Sequence, residues 1–122
     1  SARSGTFGAL VFASNNASVY FTNNTVPRVF DGATSLSSGV AATAGAVTRV
    51  ASSYGPSGLK IRTSGGSLQT GSFDGAMSGD GSPARIGRYN FSTSAQQING
   101  WLRKVKFFSR ELSTDEIAGW AV

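Results

Sequence analysis

The feature that most constrains this chain is a series of short apolar stretches separated by turn-forming residues. Stretches rich in β-branched and aromatic residues recur about every 10–14 residues, with clusters of Gly, Asn, Asp or Ser between them. This spacing is typical of an antiparallel β structure, because amphipathic helices need longer periodic segments. At 122 residues the chain has the length of one domain, and we expect residues 1–122 to form a single domain.

The apolar stretches predict a series of strands joined by tight turns. Residues 15–16 (Asn-Asn) predict the turn of a first hairpin, and Asp31-Gly32 and residues 55–58 predict further turns. Pro27 cannot donate to a strand ladder, so it belongs at a sheet edge or at a strand start. We expect a loop with one weak edge strand at 33–45. The predicted strands are 8–13, 18–22, 26–30, 46–54, 59–62, 68–73, 85–89 and 98–109.

One short helix is predicted at the C-terminal end, over residues 114–120. Ser113 and Glu116 have the spacing of a capping box, in which each side chain satisfies the other residue's backbone N–H. Leu112, just before the cap, is expected to pack on Ile117 as a hydrophobic staple. The helix therefore docks through its first turn.

The longest predicted strand, at 98–109, has two competing registers. Leu102, Val105 and Phe107 can share one face only if a β-bulge lies near residues 103–104. The alternative register buries Arg103, which is costly without a partner. We favour the bulge, and we expect Leu59 and Ile61 to point inward while Lys60 and Arg62 point outward. The predicted core is Phe12, Tyr20, Val50, Leu59, Ile61, Ile86, Leu102, Val105, Phe107, Leu112 and Ile117, together with Trp101 and Trp120.

The composition excludes several kinds of catalytic centre. The chain has no Cys and no His, so it cannot form a thiolate nucleophile, a Cys/His zinc site or a Ser-His-Asp triad on its own. Glycoside hydrolysis needs two carboxylates across the scissile bond, and no closely spaced acidic motif on one strand suggests such a pair. We therefore expect a non-catalytic protein. The six carboxylates are Asp31, Asp74, Asp80, Glu111, Asp115 and Glu116.

The C-terminal segment 98–117 (INGWLRKVKFFSRELSTDEI) resembles the closing segment of concanavalin A-like, or laminin-G-like, jelly rolls. Further similarity at 48–51, 59–62 and 85–87 extends the resemblance over residues 46–120. The basic residues after Leu102 are most similar to those of domains at the ends of bacteriophage tail and appendage proteins. The matching positions in the closing segment are Asn99, Gly100, Leu102, Val105, Phe107, Phe108, Arg110, Leu112, Ser113, Glu116 and Ile117.

The resemblance implies an all-β, antiparallel jelly-roll-like sandwich with one short C-terminal helix. Members of the family have more strands than this sequence shows. The N-terminal part of the sandwich is therefore either shortened or completed by another segment.

The resemblance also implies a virion or extracellular binding module that contacts host-surface carbohydrate. An exposed aromatic face beside polar donors is what sugar recognition uses, and the alternative is that these aromatics close the ends of the core. Two other functions stay open: a structural decoration or assembly protein of a virus particle with no ligand of its own, and a polysaccharide-active enzyme. The candidate carbohydrate contacts are Tyr54, Arg88, Tyr89, Asn90 and Phe91.

Calcium is the one cofactor that we consider, because laminin-G-like domains bind it through loop carboxylates. Asp74 and Asp80 bracket a Gly-rich loop and are the candidate ligands. Calcium takes six to eight oxygens, so two carboxylates are a weak signal. The alternative is that both aspartates belong to ordinary Asp-Gly turns.

Charge suggests a protein partner more than a nucleic acid. The net charge is +5, but the basic residues are dispersed and form no dense stripe. One cluster, of Arg103, Lys104, Lys106 and Arg110, is either a set of solvated strand residues or the first contact with a partner. An incomplete sandwich leaves an open sheet edge, so we expect a neighbour: another virion protein, or copies of this chain, for instance in a trimer. No apolar run is long enough to span a membrane.

Overall fold

The computed structural model describes residues 7–14, 17–22, 25–75, 85–87 and 101–122. Within these ranges the chain is mostly β, with two antiparallel sheets and one short helix near the C-terminal end. The elements are β1 (Phe7–Ser14), β2 (Ala17–Thr22), β3 (Pro27–Phe30), β4 (Ser35–Ser37), β5 (Val50–Gly55), β6 (Gly58–Thr63), β7 (Gln69–Gly71), β8 (Arg85–Ile86) and α1 (Thr114–Trp120).

The larger sheet has five strands in the order β4-β3-β2-β1-β8, and the smaller sheet has the order β5-β6-β7. The predicted first hairpin is confirmed, since β1 and β2 pair from Phe7 with Thr22 to Ser14 with Ala17. The weak edge strand predicted within 33–45 is also confirmed as β4. Pro27 begins β3, which lies between β2 and β4, so of the two predicted positions the strand start is correct and the sheet edge is wrong.

The two sheets pack on each other through an apolar cluster centred on Val29, Leu59 and Ile61. These three side chains have no exposed surface. Val29 lies on β3 of the larger sheet and the other two lie on β6, so the cluster joins the sheets. Burial of each such side chain contributes about 1.5–3 kcal/mol. The inward direction predicted for Leu59 and Ile61 is confirmed.

The C-terminal region covers the opposite face of the smaller sheet. Ala51, Leu112, Ile117 and Ala121 form a second buried cluster there. The small sheet is therefore a middle layer, with the larger sheet on one face and α1 on the other. The burial of Leu112 and Ile117 confirms these two core predictions.

The helix has the bounds and the cap that the sequence predicts. The Ser113 hydroxyl accepts a hydrogen bond from Glu116 N, and the Glu116 carboxylate accepts one from Ser113 N. The last turn of α1 has no basic residue of its own. Arg62 of β6 donates to the carbonyl of Ala118 at 3.0 Å and provides a cation at this helix end.

The longest predicted strand is wrong over its described part, because residues 101–108 belong to no strand. No bulge near 103–104 brings its apolar residues to one face. Strict alternation gives one face Arg103 and the other Lys104 and Lys106, so neither face can be buried without burying a cation.

The core prediction is correspondingly wrong at several positions. Leu102, Val105, Phe107, Trp101, Trp120 and Ile86 are exposed. Tyr20 and Val50 are only half-buried, and the side chain of Phe12 lies outside the described part of the chain. Two other strands are shorter than predicted, since β5 begins at Val50 and β7 spans three residues. Of the strand predicted at 85–89, β8 covers Arg85–Ile86, and residues 88–89 lie outside the described ranges.

Candidate functional site

Residues 101–110, which we call the exposed segment, are the most accessible part of the described chain. All ten residues are exposed, and 98% of the surface of Trp101 is accessible. Phe107 is 59% exposed. Large aromatic side chains are enriched where proteins meet partners, and their exposure leaves apolar surface uncovered. The four cations predicted to contact a partner all lie here.

The exposed segment touches α1 through a cation–π cluster. The Lys106 ammonium lies 4.4 Å from the ring centroid of Trp120 and 4.9 Å from that of Phe108. The two ring centroids are 5.7 Å apart. An exposed cation–π contact contributes about 0.5–1 kcal/mol, so this cluster orients the segment only weakly.

A second contact ties the end of the exposed segment to the helix cap. The Arg110 guanidinium donates to both carboxylate oxygens of Glu116, with Nη1 to Oε2 at 2.8 Å. Arg110 first, and then the Ser113 N–H, hold the pKa of Glu116 down at about 2. Arg110 thus serves an internal ion pair as well as being a candidate partner contact.

Immediately after the exposed segment, Glu111 and Leu112 bind to the small sheet and its β5–β6 turn. The Glu111 carboxylate accepts hydrogen bonds from the Ser57 hydroxyl and, at 3.2 Å, from the Lys60 ammonium. The Ser57 hydrogen bond is the main reason that the pKa of Glu111 lies below its usual value. Leu112 N donates to the buried Ser53 hydroxyl at 2.9 Å. These contacts fix the point at which the exposed segment leaves the small sheet.

Asp31 accepts more hydrogen bonds than any other carboxylate in the described part of the chain, and it is fully buried. One oxygen accepts from the N–H groups of Ala33 and Thr34, at 2.9 and 2.6 Å. The other accepts from those of Asp74 and Gly75, at 3.0 and 3.1 Å. Burial alone would raise the pKa of Asp31, but the four backbone donors lower it.

This cluster, which we call the Asp31 clamp, joins the β3–β4 turn to the chain after β7. A Cβ atom at position 75 would lie 1.9 Å from the Asp31 carbonyl oxygen, so the close approach requires Gly75. The Asp74 carboxylate completes the clamp by accepting from the hydroxyls of Thr34 and Ser72. The sequence indicated only a turn at Asp31-Gly32, because the donors around residue 74 are distant in sequence.

The predicted calcium ligands are only partly within the described residues. Asp74 is exposed and its carboxylate faces Thr34 and Ser72, while Asp80 lies outside the described part. Among the residues that the structure describes, no group of three or more acidic side chains is placed to hold a metal ion. Calcium binding remains a prediction.

The predicted carbohydrate contacts are not brought together in the described residues. Tyr54 is half-buried and packs against the cluster of Val29, Leu59 and Ile61, and burial raises the pKa of its hydroxyl. Its packing fits the alternative that it closes the core. Arg88, Tyr89, Asn90 and Phe91 lie outside the described ranges.

No protein-family model matches the chain, and neither a curated protein nor a solved structure matches it. Within the described ranges, no helix has the length and apolar character needed to cross a bilayer.

Proposed function

We propose that this chain is a non-catalytic assembly module, which attaches to a neighbouring protein chain through the exposed segment. The observation that carries the proposal is the exposure of all ten residues, including Trp101 at 98%. Trp, Phe and Arg are enriched in protein interfaces, and Trp and Arg are among the residues that contribute most to binding. A stretch that combines them outside any strand or helix is suited to binding.

The contacts around the exposed segment support this role. Glu111 and Leu112 hold its C-terminal end on the small sheet, through Lys60 and Ser53. Within the described part of the chain, the preceding residues contact the rest of the protein through the exposed groups at Lys106 and Arg110. The segment is therefore anchored at its C-terminal end and accessible along its length, which suits it to contact a partner.

The finer assignment of fold and location is part of the same proposal. The two packed sheets and the capped terminal helix are compatible with a jelly-roll-like sandwich. The resemblance of residues 98–117 to phage tail and appendage domains suggests that the neighbour belongs to a virus particle. Host-surface carbohydrate binding and polysaccharide cleavage remain predictions from the sequence, and no specific observation favours either.

The engagement of three of the six carboxylates in structural contacts supports a non-catalytic role. Asp31 accepts four backbone hydrogen bonds, Glu111 pairs with Lys60, and Glu116 pairs with Arg110. A general acid or nucleophile needs a carboxyl group that is free to meet its substrate. These three instead hold the fold together.

Amine-reactive cross-linking of the protein in its native source tests the proposal. The chain has three lysines: Lys104 and Lys106 lie in the exposed segment, while the Lys60 side chain is 12% exposed and pairs with Glu111. We expect Lys104 and Lys106 to cross-link to another protein chain and Lys60 to serve as the unreactive control. Cross-links from both residues that remain within one chain, in intact material, would refute the proposal.

A further inference from the structure

We infer that the exposed segment adds as a β-strand to β5 in a second copy of this chain, along the edge of β5 that has no neighbour among the described residues. The inference rests on the proposed function and names its partner. It joins two features of the same molecule: a strand-like segment that is unpaired, and a long sheet edge without a neighbour in the described residues.

The exposed segment has the sequence of an outer strand. Residues 101–108 are rich in aromatic and β-branched residues, which favour strands. Cations lie on both faces of the alternation, at Arg103 on one and at Lys104 and Lys106 on the other. A central strand would have to bury them, whereas strands at the edge of a sheet carry such charges routinely. The pattern that excludes the segment from the core therefore suits the last strand of a sheet.

The edge of β5 is a suitable acceptor. Within the described residues β5 pairs with β6 on one side only. Its six residues, VASSYG, include neither a charged residue nor a proline, the usual devices that block strand addition. Among the described residues the other outer strands, β4, β7 and β8, have three, three and two residues, so β5 is the longest outer strand.

The length of the segment matches this acceptor. Six of the eight residues at 101–108 would pair with the six residues of β5, so that alternate N–H and C=O groups gain partners. In one chain the segment does not form this pairing, although both parts are present. Exchange between two copies supplies each edge with the other's segment.

The net charge of the chain predicts a distinctive salt dependence for self-association. Each copy carries a net charge of +5, so two copies repel at low ionic strength. Salt screens this repulsion, and self-association should therefore strengthen as salt is added. An acidic partner of different sequence would show the opposite dependence.

A proline scan of the exposed segment distinguishes strand addition from side-chain docking. Proline removes one backbone N–H, and on a strand paired along one edge only alternate N–H groups face the partner. We would compare Lys104→Pro, Val105→Pro and Lys106→Pro with the matched control Val105→Thr. The protein would be followed by light scattering against its monomer mass of 12.6 kDa, and thermal unfolding would check that each variant keeps its fold.

We expect twice the monomer mass at high concentration and salt, and a weakening of association by about tenfold or more at alternate proline positions only. Hydrogen exchange should slow at alternate β5 amides as the concentration rises. A monomer under all conditions, equal effects of all three prolines, or unchanged β5 exchange would overturn the inference. The proposed function would survive any of these results if Lys104 and Lys106 cross-link to a different protein in the native source.

Discussion

Strand β6 and the exposed segment both combine apolar with basic residues, but the apolar side chains are buried only in β6. The sequence LKIR in β6 alternates strictly between apolar and basic residues, and WLRKVKFF at 101–108 does so over residues 104–107. In β6 the apolar side chains of Leu59 and Ile61 have no exposed surface. In the exposed segment Phe107 is 59% exposed and every neighbour is exposed too.

The two regions differ in the hydrogen-bond acceptors that are available to their cations. Lys60 finds the Glu111 carboxylate and the Leu112 carbonyl, and Arg62 finds carbonyls of Gly66 and Ala118. With those acceptors, the basic face of β6 can be covered by the C-terminal region. Alternation alone therefore does not place a strand in the interior; the polar face also needs acceptors from elsewhere in the chain.

The largest expected effect is a difference in stability between an apolar substitution in β6 and one in the exposed segment. Ile61→Ala should lower the free energy of unfolding by about 2–5 kcal/mol, because it leaves a cavity between the two sheets. Val105→Ala in the exposed segment should change it by less than about 0.5 kcal/mol. Urea denaturation of the two variants and the wild type measures both values, and equal losses would show that the segment is packed in solution.

The Asp31 clamp provides a second test, in which a substitution destabilises the packed sheets without altering the exposed segment. Asp31→Ala removes the acceptor of four backbone N–H groups and should cost about 3 kcal/mol, since buried donors lose their partners. Asp74→Asn is the matched control, because its amide oxygen can still accept from Thr34 and Ser72 and the site is exposed. Denaturant titration should show a much smaller loss for the control. Similar losses for both would contradict the assignment.

A smaller effect should distinguish the basic residues of the two regions. Lys60→Met removes two hydrogen bonds, to Glu111 and Leu112, that hold the C-terminal region on β6, and a third to Ser57, and it should lower the melting temperature by roughly 2–4 °C. Lys104→Met removes a cation from the exposed segment and should leave the melting temperature unchanged. Differential scanning calorimetry can compare them at one protein concentration. A drop for Lys104→Met but none for Lys60→Met would reverse the comparison.

The smallest expected effect is a pH dependence at the junction of the exposed segment and the helix. The pKa of Glu116 is about 2 in the folded chain against an ordinary value of 4.5. Its stabilising contribution is therefore complete above pH 4.5 and is lost as the pH falls towards 2.

The stability difference between the wild type and Glu116→Gln, measured by denaturation at several pH values, should shrink across this window. Subtracting the stability of one protein from that of the other cancels the effect of protonating Asp31, which occurs in both. Arg110→Met should flatten the same dependence, because Arg110 is the main cause of the lowered pKa. A difference that stays constant from pH 7 to pH 2 would contradict the ion pair.

The parts of the fold that local sequence determines are the parts that could be predicted. The first hairpin, the alternation at Leu59 and Ile61, and the capping box at Ser113 and Glu116 all depend on residues close together in the chain. The candidate site was predicted through its cations, but as part of a strand. The Asp31 clamp was missed because its second pair of donors lies more than forty residues away.

The attachment of the chain at Glu111 and Leu112 has a mechanical consequence. Tension applied to the exposed segment would enter the molecule at these residues and pass to Ser53 and Lys60, on adjacent strands of the small sheet. Between these residues and the C-terminus the chain forms α1, which, within the described residues, packs on the small sheet and not on the larger one. Force applied between the exposed segment and the C-terminus would therefore act on the contacts that dock α1, while the first hairpin, in the larger sheet, would lie outside the loaded part of the chain.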